Sequence, residues 1–142
     1  HPTTVVIDSD RQTRSGVTLL DGLYVDNPGN FTKRDHNSPV LATGRPHKVR
    51  CRVTPTTIVI DCDDQELLRW HGDPRRLSGF LLQSPPNRAI ADLTQLSLGS
   101  WATEFLFSDL RLQPVLPAEA KALDDSFAGP YPTGPSTEFI PR

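Results

Sequence analysis

The sequence predicts an all-β domain, an antiparallel β-sandwich, and three observations carry that prediction. Apolar residues recur with period 2 from residue 4 to residue 113. Turn-forming Gly, Pro and Asx residues interrupt them every few positions, the punctuation of many short strands. No stretch in that range places apolar residues at i, i+3, i+4 and i+7, as an amphipathic helix needs.

Candidate strands fall at 4–7, 17–20, 23–25, 47–53, 57–62, 66–70, 80–82, 93–98 and 104–112. Turns separate them at Asp8-Ser9-Asp10, Asp21-Gly22, Asn27-Pro28-Gly29, Gly44-Arg45-Pro46, Asp63-Asp64, Gly72-Asp73-Pro74 and Pro85-Pro86-Asn87. The hairpin at 47–62 is the most sharply specified. Val49, Cys51 and Val53 share one face, with Lys48, Arg50 and Arg52 on the other. A two-residue loop at Pro55-Thr56 sets Cys51 opposite Ile60 and Arg50 opposite Asp61, so that Arg50 is expected to pair with Asp61. That register gathers Val49, Cys51, Val53, Ile58, Ile60 and Cys62 on a single face, the expected core face. Cys51 and Cys62 become diagonal neighbours there, stretched for a disulfide, and two core thiols are favoured over a bridge. Trp70 ends the next strand and is expected in the core. In 104–112 the apolar parity changes between Phe105/Phe107 and Leu110/Leu112, which a bulge near Ser108-Asp109 explains.

Composition shifts at Pro114, because six of the 14 prolines lie in the last 29 residues. The sandwich is therefore assigned to 1–113 and a Pro-rich tail or linker to 114–142. One short helix is expected at 117–125, with Pro near its start. Phe127, Tyr131, Phe139 and Ile140 offer apolar contacts that would pin the tail to the domain or to a partner.

Charge and length exclude several classes. The chain has 142 residues, 15 Lys+Arg and 17 Asp+Glu, for a net charge of −2, so no basic excess recruits nucleic acid or an anionic membrane. No apolar run approaches the ~20 residues of a membrane-spanning helix. The chain opens at His1-Pro2 without Met, as a processed or trimmed product would. A copper brace at His1 lacks any other supporting feature. Asn30-Phe31-Thr32 fits the glycosylation sequon, a three-residue pattern of little specificity.

The order of features from Gly44 to Leu112 carries a resemblance. Gly44-Arg45-Pro46-His47-Lys48-Val49 opens a strand, and Ile58-Val59-Ile60-Asp61 follows. Leu67-Leu68-Arg69-Trp70-His71-Gly72-Asp73 comes after a turn, and Leu96-Ser97-Leu98-Gly99-Ser100-Trp101 with 105–112 closes the unit. This resembles a concanavalin A-like, laminin-G-like jelly roll of the kind found in bacterial surface proteins. It departs from that pattern at Asp63-Asp64, where the family turn is Asp-Gly. The opening strand or strands also have no counterpart before Pro2. Either the sandwich is reduced or preceding sequence completes it, and a missing strand leaves an edge for another chain to pair with. The resemblance implies an extracytoplasmic or secreted setting and a glycan or cell-surface partner.

Chemistry in the sequence favours binding over catalysis. Glu66, Glu104, Glu119 and Glu138 each stand alone, so the paired carboxylates of a glycosidase have no evident source. No zinc pattern or Ser-His-Asp arrangement stands out. Sugar binding needs an aromatic platform beside polar groups, which Trp101, Tyr24, Asp26, Asn27 and His71 could supply. Calcium is the one cofactor entertained, with loop oxygens from Asp26 and Asn27, or from Asp8 and Asp10. The alternating Lys48, Arg50 and Arg52 read as a solvated face. The expectation is a non-catalytic recognition module, most plausibly for carbohydrate. The alternatives are a structural or assembly module using an open sheet edge and the tail, and a degenerate glycosidase-like domain.

Overall fold

The computed structural model describes residues 3–8, 13–78, 96, 98–100 and 104–127. Nine short strands lie within it: β1 Val5–Asp8, β2 Arg14–Val17, β3 Leu19–Leu20, β4 Leu23–Tyr24, β5 Arg34–Asp35, β6 Val49–Val53, β7 Thr57–Cys62, β8 Gln65–His71 and β9 Leu77–Ser78. One helix, α1, spans Pro117–Asp125, and a single 3-10 turn occupies Pro74–Arg76. The strands form three antiparallel sheets in the orders β1-β2-β5, β4-β3-β9 and β6-β7-β8. The all-β prediction is therefore met by three small sheets. The expected strand at 80–82, most of that at 93–98, and Trp101 lie outside the described residues.

The central hairpin takes the register its alternation dictates. Val49 pairs with Cys62, Arg50 with Asp61, Cys51 with Ile60 and Val53 with Ile58, around a loop at Pro55-Thr56 closed by Thr54 N–H donating to the Thr57 carbonyl at 2.9 Å. β8 then inserts one extra residue opposite Ile60/Asp61, where Ile60 pairs with Leu68 but Asp61 with Glu66. The bulge lets Leu67 join Leu68 in the core rather than face water. Ile58, Ile60, Cys62, Leu68 and Trp70 form one wall of that core, and Val17, Leu20 and Leu77 come from the other two sheets. Gly16 on β2 permits this closeness, since a Cβ there would meet Val25 Cγ2 at 2.6 Å and the Thr32 carbonyl at 3.2 Å.

Two expectations for the hairpin are corrected. Arg50 stands opposite Asp61 but makes no ion pair with it; the Arg52 guanidinium does, at 2.6 Å. The diagonal position on the same face lies within reach of a long side chain. Both cysteines are free, but only Cys62 is in the core, and Cys51 is exposed. The reason is that β6 is an edge strand with nothing laid over its apolar face among the described residues. Val49 and Val53 remain 47% and 55% exposed on that face. β7, one strand inward, is buried on both sides: Val59 on its reverse face is fully covered, although the alternation alone placed it toward water.

α1 lies against the end of that hairpin. Asp124 accepts hydrogen bonds from the hydroxyls of Thr54, Thr56 and Thr57, Arg69 donates to Ser126 Oγ, and Phe127 stacks on His71 at 4.9 Å. Leu123 supplies the buried apolar contact. Residues 104–112, expected as a paired strand, form no strand and have no ladder partner among the described residues, and every side chain from 104 to 114 is exposed. Asp109 adopts φ 53° in that segment, but with no ladder there among the described residues the bulge expected near Ser108-Asp109 does not form. The Phe105 and Phe107 rings lie 6.3 Å apart.

Candidate functional site

The predicted sugar-binding residues divide between two places. Tyr24 ends β4, and Asp26 and Asn27 lie in the surface turn after it, where Tyr24 is 43% exposed and Asp26 is exposed. Asn27 Oδ1 is already engaged, accepting the Gly29 N–H at 2.8 Å in an Asx turn. His71 lies on a different sheet, at the end of β8, held between Phe127 and the Thr57 hydroxyl. Trp101 is outside the described residues, and Trp70 is buried in the core. Asp8, weighed as a calcium ligand, spends its carboxylate on the backbone N–H groups of Val40 and Leu41 at 2.9 and 2.6 Å. The sequon residue Asn30 is internal. Its Nδ2 donates to the Val17 and Leu23 carbonyls at 2.9 and 3.1 Å, and its Oδ1 accepts from the Thr32 hydroxyl at 2.6 Å. A sugar on Nδ2 would replace one of its two hydrogens and so remove one of these carbonyl bonds at a buried position.

At the mouth of the central hairpin, three groups with metal-ligating chemistry converge. His47 precedes β6, Cys62 ends β7 and Asp63 begins the β7–β8 turn; one donor atom from each lies within 4.8 Å of the other two. His47 Nδ1 is 2.8 Å from Asp63 Oδ2, and His47 Nε2 is 3.0 Å from the Ala42 carbonyl oxygen. Asp63 Oδ1 accepts the Lys48 backbone N–H at 2.9 Å, while Arg45 approaches Oδ2 at 3.6 Å. That backbone N–H, followed by the His47 ring, holds the Asp63 carboxyl below its ordinary pKa of 3.8. Burial, and then the negative charges of Asp63 and Asp8, push the Cys62 thiol upward. Asp63 and Asp64 build the turn with φ of 51° and 62°, a two-residue arrangement matching the strand twist. The hairpin register, extended two residues past Val49 and Cys62, would have placed this cluster. The sequence reading stopped at the strands and missed it.

The third feature is the β6 edge. β6 pairs only with β7, and Arg50 on its wet face has no ion-pair partner among the described residues. The strand offers unpaired backbone groups beside an uncovered row of Val49, Cys51 and Val53. The segment 104–112 offers exposed apolar side chains, with Glu104 along the same stretch and Asp109 paired to Arg111.

Compared with protein-family models, curated proteins and solved structures, the chain has no significant match. Among the described residues no helix is long and apolar enough to cross a membrane.

Proposed function

We propose that the chain is a non-catalytic assembly module, a jelly-roll-like sandwich with one open edge, and that the segment 104–112 of a second copy adds to β6. The observation carrying this reading is that one chain holds both halves of the joint: a bare edge with exposed Val49 and Val53, and an exposed apolar segment, 104–112, outside any ladder among the described residues. The seating of α1 favours exchange between copies. β6 runs toward the turn on which α1 rests, and 104–116 also runs toward α1, so direct folding back would pair them parallel. Every ladder in the described residues is antiparallel, and only a second copy allows that arrangement without a reversal. Exchange is mutual about a two-fold axis. Large apolar side chains each contribute about 1.5–3 kcal/mol when fully buried. Phe105, Phe107, Leu110 and Leu112 of two arms together offset an association cost of roughly 4–15 kcal/mol that is incurred only once.

The test uses the exposed Cys51 as its own probe. A chain keeping Cys51 is mixed with a mass-tagged chain carrying Cys51→Ser and Leu110→Cys or Phe107→Cys, and the mixture is oxidised. A disulfide joining the two different chains, together with a dimer mass by light scattering, is the expected result. A monomer without cross-links overturns the reading. So does a chain bearing both Cys51 and the introduced thiol that closes only on itself.

The exposed Tyr24 ring beside Asp26 favours a second reading, glycan contact at that turn. Affinity electrophoresis in polysaccharide gels tests it. Retardation that Tyr24→Ala abolishes supports glycan contact, and equal mobility of both proteins in every gel refutes it.

A further inference from the structure

The geometry points to a divalent transition-metal site, of zinc type, built by His47, Cys62 and Asp63 at the mouth of the central hairpin. It is independent of the assembly reading and uses none of the residues of the β6 edge.

The ring of His47 supplies the first argument. Its side chain is only 8% exposed and both ring nitrogens have partners. The Ala42 carbonyl can only accept, so Nε2 carries a hydrogen and donates it. In neutral imidazole the lone pair then sits on Nδ1, which faces the carboxylate oxygen of Asp63 across 2.8 Å. At that distance the pair shares a proton, and a metal ion taking the proton's place would open the nitrogen–oxygen separation to about 3.4 Å. A backbone carbonyl that takes the other ring N–H is the usual means of fixing a metal-binding histidine in its tautomer.

The carboxylate is oriented in the same way. Lys48 N–H holds Asp63 Oδ1, which leaves Oδ2 turned toward His47. The Cys62 thiol is buried at the end of β7, within 4.8 Å of both donors. Tetrahedral zinc binds His N at about 2.0–2.1 Å, Cys S at about 2.3 Å and Asp O at about 2.0–2.2 Å. Donor separations near 3.5 Å follow from those lengths. The present donors lie within 4.8 Å of one another, so binding would draw Cys62 Sγ inward and open the His47–Asp63 contact from 2.8 Å. Imidazole with thiolate selects zinc or cobalt over calcium and magnesium, which prefer oxygen ligands. Arg45 is the competing cation, but its guanidinium is largely in solvent and yields its 3.6 Å contact at little cost. The fourth position opens to water on the exposed Asp63 side.

Cobalt(II) titration of the purified, reduced chain tests the proposal. The expected result is one equivalent of Co(II) bound with a thiolate-to-cobalt charge-transfer band and tetrahedral ligand-field bands, bleached by Zn(II). His47→Gln and Cys62→Ser each abolish the charge-transfer band, whereas Cys51→Ser keeps it. Circular dichroism of each variant confirms that it is folded, and His47→Gln, outside the apolar core cluster, decides the matter if Cys62→Ser unfolds. No thiolate band in the wild-type chain overturns the proposal. So does a band that survives in folded His47→Gln, or one that Cys51→Ser removes.

Discussion

Substituting Asn30 by Ala should cost about 3–5 kcal/mol, a large share of the roughly 5–15 kcal/mol that holds a domain of this size together. Asn30 is 1% exposed, and its amide is the knot between β2, the β3–β4 hairpin and the turn leading to β5. Ala removes two donations, to the Val17 carbonyl at 2.9 Å and the Leu23 carbonyl at 3.1 Å. It also removes two acceptances, from Thr32 N–H at 3.2 Å and the Thr32 hydroxyl at 2.6 Å. Each bond contributes about 1 kcal/mol net, and a carbonyl left dry without a partner costs a further 1–3 kcal/mol or so. Leu23 lies near enough to solvent for water to replace part of that loss, and the buried Val17 does not. Equilibrium urea unfolding followed by Trp70 fluorescence measures the difference. Thr32→Val is the companion, because Thr32 Oγ1 also accepts the Val17 N–H at 3.0 Å. The double variant should lose about 1–2 kcal/mol less than the sum of the singles. A cost for Asn30→Ala below about 1 kcal/mol, or strict additivity, would refute the network and return the sequon asparagine to the surface.

Two further outcomes are expected. Asp64 sits at φ 62° with an exposed side chain and only a 3.4 Å contact to Lys48, so Asp64→Gly should stabilise the β7–β8 turn by about 0.5–1 kcal/mol in the same assay. The same exchange at Asp63 should destabilise, because the Asp63 carboxylate receives Lys48 N–H and faces His47. Acid should release α1. The hydroxyl of Thr57 first, then those of Thr54 and Thr56 and the His71 ring, hold the Asp124 carboxyl below its ordinary 3.8. A depressed carboxyl stabilises the docked state above that ordinary value and ceases to as pH falls through its own lower one. Amide protection factors in α1, referred to the intrinsic exchange rate at each pH, should fall below about pH 3.8, and Asp124→Asn should flatten that dependence; identical profiles in both proteins would count against the clasp.

What could be read from the sequence was local in origin. The Pro55-Thr56 loop and the alternation on either side fix the β6–β7 register without reference to anything distant, and Cys51 does stand opposite Ile60. The helix at Pro117–Asp125 likewise announces itself through a proline at its first turn. Burial is different, because it depends on what lies over a face. Period 2 gives Cys51 and Cys62 the same side of the sheet, yet one strand position separates an exposed thiol from a buried one. The two-residue strands β5 and β9 have no periodicity to detect, since they exist only through their pairing with β2 and β3. Of the candidate site residues, the sequence grouped Tyr24, Asp26 and Asn27 correctly by proximity. It had no means to see that His71 belongs to the α1 clasp, because Asp124 and Phe127 are more than fifty positions away.

The β6 strand connects these observations. At its start, the Lys48 N–H donates to the Asp63 carboxylate and the Lys48 carbonyl accepts the Asp63 N–H, with His47 bound to the same carboxylate. At its finish, the Thr54 hydroxyl donates to Asp124 of α1. Between those two ties its ladder to β7 is unbroken over five residue pairs, while the other edge carries no partner among the described residues. An edge strand meant only to terminate a sheet is usually shortened, bulged or charged on the side it exposes. β6 has no bulge, and the face it leaves bare carries valines and a thiol rather than lysines. A strand fixed at both ends has already lost the conformational freedom that pairing would otherwise cost, so an arriving strand meets a pre-organised template. Loosening either tie should therefore weaken strand addition without touching a residue of the joint.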